Sequence, residues 1–265
     1  MGRLAGKVAV VMGATRAGNM GQAIARRFLE EGATVVVSGR GKAGLDAFAA
    51  ETGASAIPCD ISSRTQIEAL ADATIARHGR IDIAVNAAAI GFLAKFEEET
   101  EAQIDSMLSI IFKGGLFFMQ VMVGALRQAG GGAIINISSA VADTMSNDHC
   151  SYMGAKAALN HMTRFVAFDY GKHGIRANIL SPGLTVTPML GDFNVPGMVE
   201  AFVKEYPLGR ITTVEDIANA ALFMASDECF MTGQTFHVTG GLTLRRNPTT
   251  QEIMASLAAH GAAGA

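Results

Sequence analysis

The sequence predicts an α/β fold: one domain built on a doubly wound parallel sheet with helices on both faces. Three observations predict it. Short, apolar, β-branched runs alternate with longer Ala-rich stretches of helical period, most of those runs are apolar throughout, and a glycine-rich turn joins the first run to the first helix. Strand–helix alternation favours a parallel sheet, and a continuous apolar run marks a strand covered on both faces.

The first strand, Val8–Met12, leads into Gly13-Ala14-Thr15-Arg16-Ala17-Gly18-Asn19-Met20-Gly21 and a helix over Gly21–Glu31. Glycine lets a backbone turn sharply and approach a pyrophosphate, and the helix that follows offers free N–H groups at its positive end. With 30 glycines in the chain, the glycines alone say little. Their place between a first strand and a first helix points to nucleotide binding, with Gly13, Thr15, Arg16, Gly18 and Met20 as the contacts.

The second strand, Thr34–Ser38, ends in Val37-Ser38-Gly39-Arg40. A carboxylate there would hold the ribose hydroxyls of NAD, whereas an arginine suits a 2′-phosphate. Arg40, with Arg16 in the adjoining loop, predicts NADP(H), NAD(H) being the alternative. The remaining strands are predicted at Ala54–Cys59, Ile81–Asn86, Ala133–Ser138, Arg176–Ser181 and Thr235–Val238, and the remaining helices at Lys42–Thr52, Ser63–His78, Glu101–Ala129, Ser151–His173 and Val214–Ala225.

Ser139, Tyr152 and Lys156 form the constellation that carries chemistry. Tyr152 and Lys156 stand four residues apart at the start of a helix and so share a face. A free phenol, with a pKa of about 10, is a poor proton shuttle at neutral pH. A neighbouring ammonium, and the positive nicotinamide of an oxidised cofactor, would favour the phenolate and bring that pKa down. Ser139, after Ile134-Ile135-Asn136-Ile137-Ser138, would hydrogen-bond a substrate oxygen.

These residues resemble the short-chain dehydrogenase/reductase family over nearly all of residues 4–243. The resemblance rests on the Gly-rich loop, Cys59-Asp60-Ile61, Asn86-Ala87-Ala88-Ala89, Ser139, Tyr152 with Lys156, Asn178–Gly183, Thr232-Gly233-Gln234 and Gly240-Gly241. It implies a single Rossmann-type domain, interconversion of a ketone and a secondary alcohol with a nicotinamide cofactor, and a homotetramer. By the same resemblance Asp60 and Ile61 flank the adenine, and Asn86 and Ala88 lie under the cofactor's ribose region. Pro182, Gly183, Thr185 and Thr187 hold the nicotinamide, and Lys156 also binds its ribose.

The chain departs from the family pattern at three places. Gly13 to Gly21 is two residues longer than usual, a length similar to that of enoyl reductases in the same superfamily. Ala88 stands where glycine is normal. Ile111 stands where a helix asparagine normally holds a water of the proton relay. A 3-oxoacyl-[acyl-carrier-protein] reductase shares the triad and would need a basic docking patch; Arg127, Lys172 and Lys204 are scattered in sequence. An enoyl reductase spaces its tyrosine and lysine more widely. A non-catalytic NADP-binding sensor is the rival from another class, with Ile111 in its favour.

For the substrate, His149, Met145, Leu184 and Met189 are the candidate contacts, with Asp143 nearby. His149 and Cys150 lack a second ligand at metal spacing, so no metal is expected. Met189, Phe193, Met198 and Phe202 either grip an apolar substrate or pack a lid, over about 187–208, onto the core. Glu97-Glu98-Glu99 reads as a solvated turn. Mostly apolar candidates point to a hydrophobic alicyclic or aromatic ketone or alcohol.

Composition sets the remaining bounds. Of the 265 residues 49% are hydrophobic and 17% charged, as in a folded globular chain, and the net charge of -3 leaves no footprint for nucleic acid or an anionic membrane. The most membrane-like stretch, Leu108 to Leu126, contains Lys113 and several glycines and reads as a core or interface helix. Three distant cysteines, Cys59, Cys150 and Cys229, suggest neither disulfides nor zinc, and a cytoplasmic protein is expected. Residues 1–243 form the catalytic domain, and 244–265 a C-terminal extension read as a short helix with a frayed end or an arm onto a neighbour.

Overall fold

A computed structural model describes residues 2–191 and 195–261. Seven strands form one parallel sheet in the order β3-β2-β1-β4-β5-β6-β7. They are β1 (Val8–Met12), β2 (Thr34–Gly39), β3 (Ser55–Pro58), β4 (Ile83–Asn86), β5 (Gly132–Ile137), β6 (Ile175–Pro182) and β7 (Thr235–Val238). Strand order reverses between β1 and β4, and the crevice beyond the carboxyl ends of strands at such a reversal is where a doubly wound sheet binds ligands.

The helices are α1 (Met20–Glu30), α2 (Lys42–Thr52), α3 (Arg64–His78), α4 (Glu101–Met107), α5 (Gly114–Gln128), α6 (Cys150–Tyr170), α7 (Met198–Val203), α8 (Val214–Ala225) and α9 (Thr250–Ala259). Every residue of β1 is buried, and its side chains alternate between two cores. Val10 and Met12 join the layer under α3, α5 and α6, and Ala9 and Val11 join the layer under α1, α2 and α8. This is why the strand is apolar without alternation.

One predicted helix is three pieces in line. Between α4 and α5 the chain makes a π-helical turn over Leu108–Lys113, and the Gly114 N–H donates to the Ser109 carbonyl. Such bulges insert one extra residue and concentrate at functional sites. Ile111 sits in this turn, 1% exposed. The run Glu101–Gln128 is long and apolar enough to cross a membrane by length and composition, but here it packs on α3, α6, β4 and β5.

The C-terminal extension folds back onto its own domain. The helix α9 opens with Thr249 and Glu252 capping each other's backbone, and it packs against α7. Gly197 makes the contact close: a Cβ there would stand 2.7 Å from the Ser256 carbonyl oxygen. The end expected to fray, residues 262–265, lies outside the described residues.

Candidate active site

The loop after β1 is built for close approach. Gly13 has a φ of +93°, and a Cβ on it would come within 2.5 Å of the Ala87 backbone at the end of β4. Gly21 packs on the Gly13 carbonyl oxygen, 2.6 Å from where its own Cβ would be. The N–H groups of Gly13 and Ala14 donate to the Ser38 carbonyl. Asn19 caps α1 by accepting from the Gln22 N–H and returns its amide to the Gly13 carbonyl. The first N–H groups of a helix have no partner within it, so those of Met20 and Gly21 are left to a ligand. This cradle fits a pyrophosphate.

The far end of the crevice is shaped by β2. Thr15 lies against Gly39, Gly41 and Gly44, and a Cβ at Gly44 would meet the Thr15 carbonyl oxygen at 1.9 Å. Arg40 is exposed at the strand end. Burial pushes the Asp60 carboxyl up, but hydrogen bonds from Ser62 and the nearby Arg40 charge outweigh it and hold the pKa below the ordinary value. Arg40 and Asp60 therefore share this corner. Arg16 does not join them: its guanidinium crosses to the Pro188 carbonyl, 3.5 Å away. Ile61 turns inward, buried against Gly114, so only its backbone is left to approach an adenine.

Asn86 is buried and spends its amide on the Asn136 side chain, which in turn donates to Thr163. Its Oδ1 accepts from the Ala88 N–H and fixes the turn after β4. Pro182, the last residue of β6, is buried, and Gly183 after it sits under the Tyr206 ring hydroxyl. Thr185 is also buried and donates to the Gly183 carbonyl; Thr187 is half-buried.

Ser139 lies two residues past β5, at the cap of a short 3-10 turn, and Tyr152 and Lys156 lie one helical turn apart on α6. The Ser139 hydroxyl lies near the Tyr152 phenol and favours its ionised form. Lys156, 2% exposed, donates to the Ile137 carbonyl at 2.7 Å, and its nitrogen stands 5.7 Å from the Tyr152 ring centre. Burial pushes the phenol up to about 12 against the opposing influence of Ser139, and burial brings the lysine down to about 7. The Lys156 amine by itself thus does not depress the phenol. Burial disfavours the charged amine, although the carbonyl it donates to favours it, so the phenolate gains less support than an exposed ammonium would give.

His149 and the segment before it frame this group. The imidazole packs on Tyr152 with ring centres 4.5 Å apart. Glu99 is not the free end of a solvated run: its carboxylate accepts from the Ser151 hydroxyl, next to the tyrosine. Met145 and Met189 are exposed by 73% and 48%, and Met189 lies over Gly91. Leu184 is half-buried, and Asp143 stands near His237. Of the apolar lid residues, Met198 is buried and Phe202 packs on the small core of Ala140, Tyr206 and Leu242, which favours the packing role. Phe193 lies outside the described residues. No cluster of metal-ligating side chains occurs among the described residues.

A family model described as "Enoyl-(Acyl carrier protein) reductase" matches residues 13–243. The chain is 35% identical to the D-threitol dehydrogenase of Mycolicibacterium smegmatis, over 92% of this chain and 95% of that one. It is 33% identical to the 7alpha-hydroxysteroid dehydrogenase of Escherichia coli K12, over 90% and 95%. A crystal structure of a short-chain dehydrogenase/reductase from Burkholderia xenovorans superposes with a TM-score of 0.86 at 35% identity, covering 93% of this chain and all of the other. The chain belongs to the short-chain dehydrogenase/reductase family.

A gluconate 5-dehydrogenase from Burkholderia cenocepacia, solved with NADP and tartrate, has the same TM-score of 0.86 at 29% identity, covering 92% and 97%. As a short-chain dehydrogenase/reductase the protein is an oxidoreductase acting on alcohol or carbonyl groups with a nicotinamide cofactor. Three partners of this site had no local signal in the sequence. Glu99 reaches Ser151, Asn247 reaches Met145, and Thr250 reaches Asp148, each across more than 50 residues of chain.

Proposed function

We propose that the protein interconverts a ketone and a secondary alcohol with NADP(H), Tyr152 acting as the acid and base, on a hydrophobic alicyclic or aromatic substrate. The observation that carries this reading is the convergence of Ser139, Tyr152 and Lys156 at the carboxyl edge of β5 beside the phosphate cradle. When bound, the cofactor supplies or accepts the hydride. Ser139 and Tyr152 hold the substrate oxygen between their hydroxyls and polarise the carbonyl. Tyr152 donates its proton to that oxygen in reduction and takes it back in oxidation. Lys156 fixes the phenol and, when protonated, favours its ionised form. Gly13, Thr15, Gly18 and Met20 cradle the pyrophosphate, and Arg40 faces the 2′-phosphate. Asp60 and the Ile61 backbone border the adenine. Asn86, Ala88, Pro182, Gly183, Thr185 and Thr187 support the ribose and nicotinamide end.

The exposed Met145 and Met189, with Leu184, support an apolar substrate. Exposed Phe165 and Phe168 on α6 support a homotetramer built on helix contacts, and the unpaired Cys59, Cys150 and Cys229 suit a reducing cytoplasm. A 3-oxoacyl-[acyl-carrier-protein] reductase fits less well. Arg127 and Lys172 do come together with His173 around one hollow, but they lie before β5 and β6, at the sheet edge opposite Tyr152.

Matched titrations with NADPH and NADH, followed by NADPH oxidation on bulky ketones, test the reading. Tight NADPH binding with turnover that Tyr152→Phe abolishes supports it. Cofactor binding without turnover on any ketone would instead favour the sensor reading.

A further inference from the structure

We propose that His149 is a substrate-recognition residue, and that favoured substrates carry a hydroxyl on the carbon next to the reacting carbon or one further along. The inference rests on the ketone/alcohol reading above and adds what lies beside the reacting carbon.

Two observations set His149 apart from the residues that serve only the fold. Its Nδ1 is buried with no hydrogen-bond partner among the described residues, although buried polar atoms are almost always paired. It also stands at the cap position of α6 without capping it, where Ser, Thr, Asp or Asn would normally stabilise the helix. The Nδ1 atom therefore makes no close bond within the fold, and the side chain does not cap the helix.

The backbone before it is held at a cost. Asp148 has a φ of +57°, the one positive value among non-glycine described residues. Strain of this kind persists where the surroundings over-determine it, and it clusters at ligand sites. Here the Ala94 N–H donates to the Asp148 carbonyl at 3.0 Å, and the Thr250 hydroxyl donates to its carboxylate at 3.3 Å. Two distant segments thus hold the turn that lays the imidazole on Tyr152.

The chemistry of the ring indicates its ligand. Burial lowers the His149 pKa, against the carbonyls of Phe92 and Asp148 and the charge of Glu99, so the imidazole is neutral at pH 7. A neutral imidazole offers one N–H and one lone pair, and a hydroxyl complements Nδ1 in either tautomer. With ring centres 4.5 Å apart, a molecule whose reacting oxygen lies at the Tyr152 hydroxyl has its neighbouring carbons within reach of His149. The apolar side chains around the mouth then cover the rest of the substrate.

The test compares cyclohexanone with 2-hydroxycyclohexanone, using NADPH oxidation by wild type, His149→Phe and His149→Gln. One neutral hydrogen bond corresponds to roughly a 3- to 10-fold preference in kcat/KM for the hydroxyketone. His149→Phe keeps a ring against Tyr152 but removes both nitrogens, and the ratio of the two ketones should fall towards one. His149→Gln should retain part of that ratio. Because the readout is a ratio within one variant, a general loss of activity does not imitate it. Turnover of both ketones by wild type without preference, or a preference unchanged in His149→Phe, overturns the inference and leaves the catalytic reading standing. Turnover of neither ketone by a wild type that binds NADPH overturns the reading beneath it as well.

Discussion

Lys156 donates to the carbonyl of Ile137 at 2.7 Å from a fully buried position, so the lysine is anchored to β5 before any cofactor arrives. The anchoring has a consequence for stability. Burial sets the folded pKa at about 7, far below the roughly 10.4 of an unfolded lysine. Below pH 7 both states carry the proton and the burial penalty is present in full. Between those two values the folded chain sheds the proton while the unfolded chain keeps it, so stability rises with pH, by at most about 1.4 kcal/mol per unit. The cofactor-free wild type should therefore gain Tm relative to Lys156→Met between pH 6.5 and 9. The Tyr152 phenol, at about 12, stays protonated across this window. A difference in Tm that is flat with pH would show that the lysine keeps its proton in the fold.

Arg40 and Arg16 separate two roles that looked alike in the sequence. Arg40 stands beside Asp60 at the end of β2, whereas Arg16 reaches towards Pro188. Arg40→Ala should weaken NADPH binding by roughly 10- to 100-fold, the value of charge-assisted bonds to a phosphate, and leave NADH nearly unchanged. Arg16→Ala should affect both cofactors alike. Fluorescence titration of each variant with each cofactor decides the matter. An NADPH-selective loss in Arg16→Ala would place the 2′-phosphate at the wrong corner.

Most of the fold was legible because it follows from burial. The bounds of β1, β7, α2 and α8 agree with the sequence to the residue. The β4 strand starts later, at Ile83, since Asp82 turns its carboxylate to the Val8 N–H while Ile81 stays buried outside the strand. An apolar residue reads the same in either setting. The π turn was hidden for a related reason: one extra residue leaves an apolar helix apolar. At the site, local patterns exposed the Gly-rich loop and the Tyr152–Lys156 pair. The unpaired Nδ1 of His149 and the strained Asp148 depend on contacts across the fold, and no local pattern carries those.

The π turn makes Ile111 a test of how far the family pattern applies. Ile111 is packed with Met107, Phe118 and Leu159 in the core under α6. Ile111→Asn removes buried methyl groups and places an amide among apolar neighbours, so it should cost about 2–4 kcal/mol. A fall in Tm of roughly 5–15 °C follows for a domain of this size. The substitution should not raise kcat. A variant as stable as wild type with faster turnover would show that polar partners for the amide already stand around this position.

The C-terminal extension should act on substrate binding and spare the cofactor. Asn247 is buried, and its amide donates to the Met145 carbonyl at 2.9 Å and to the Thr144 hydroxyl at 3.3 Å. Both acceptors lie in the segment that leads from Ser139 to His149. The cradle around Gly13, by contrast, is built from β1, α1 and the turns after β2 and β4. Removing the amide frees the Met145 backbone without touching that cradle. Asn247→Ala should therefore raise KM for the ketone several-fold and leave the NADPH dissociation constant within about twofold, the loss of one or two ordinary hydrogen bonds. Steady-state kinetics beside a cofactor titration separates the two effects. Equal weakening of both would mean that the extension supports the whole domain and not the substrate side alone.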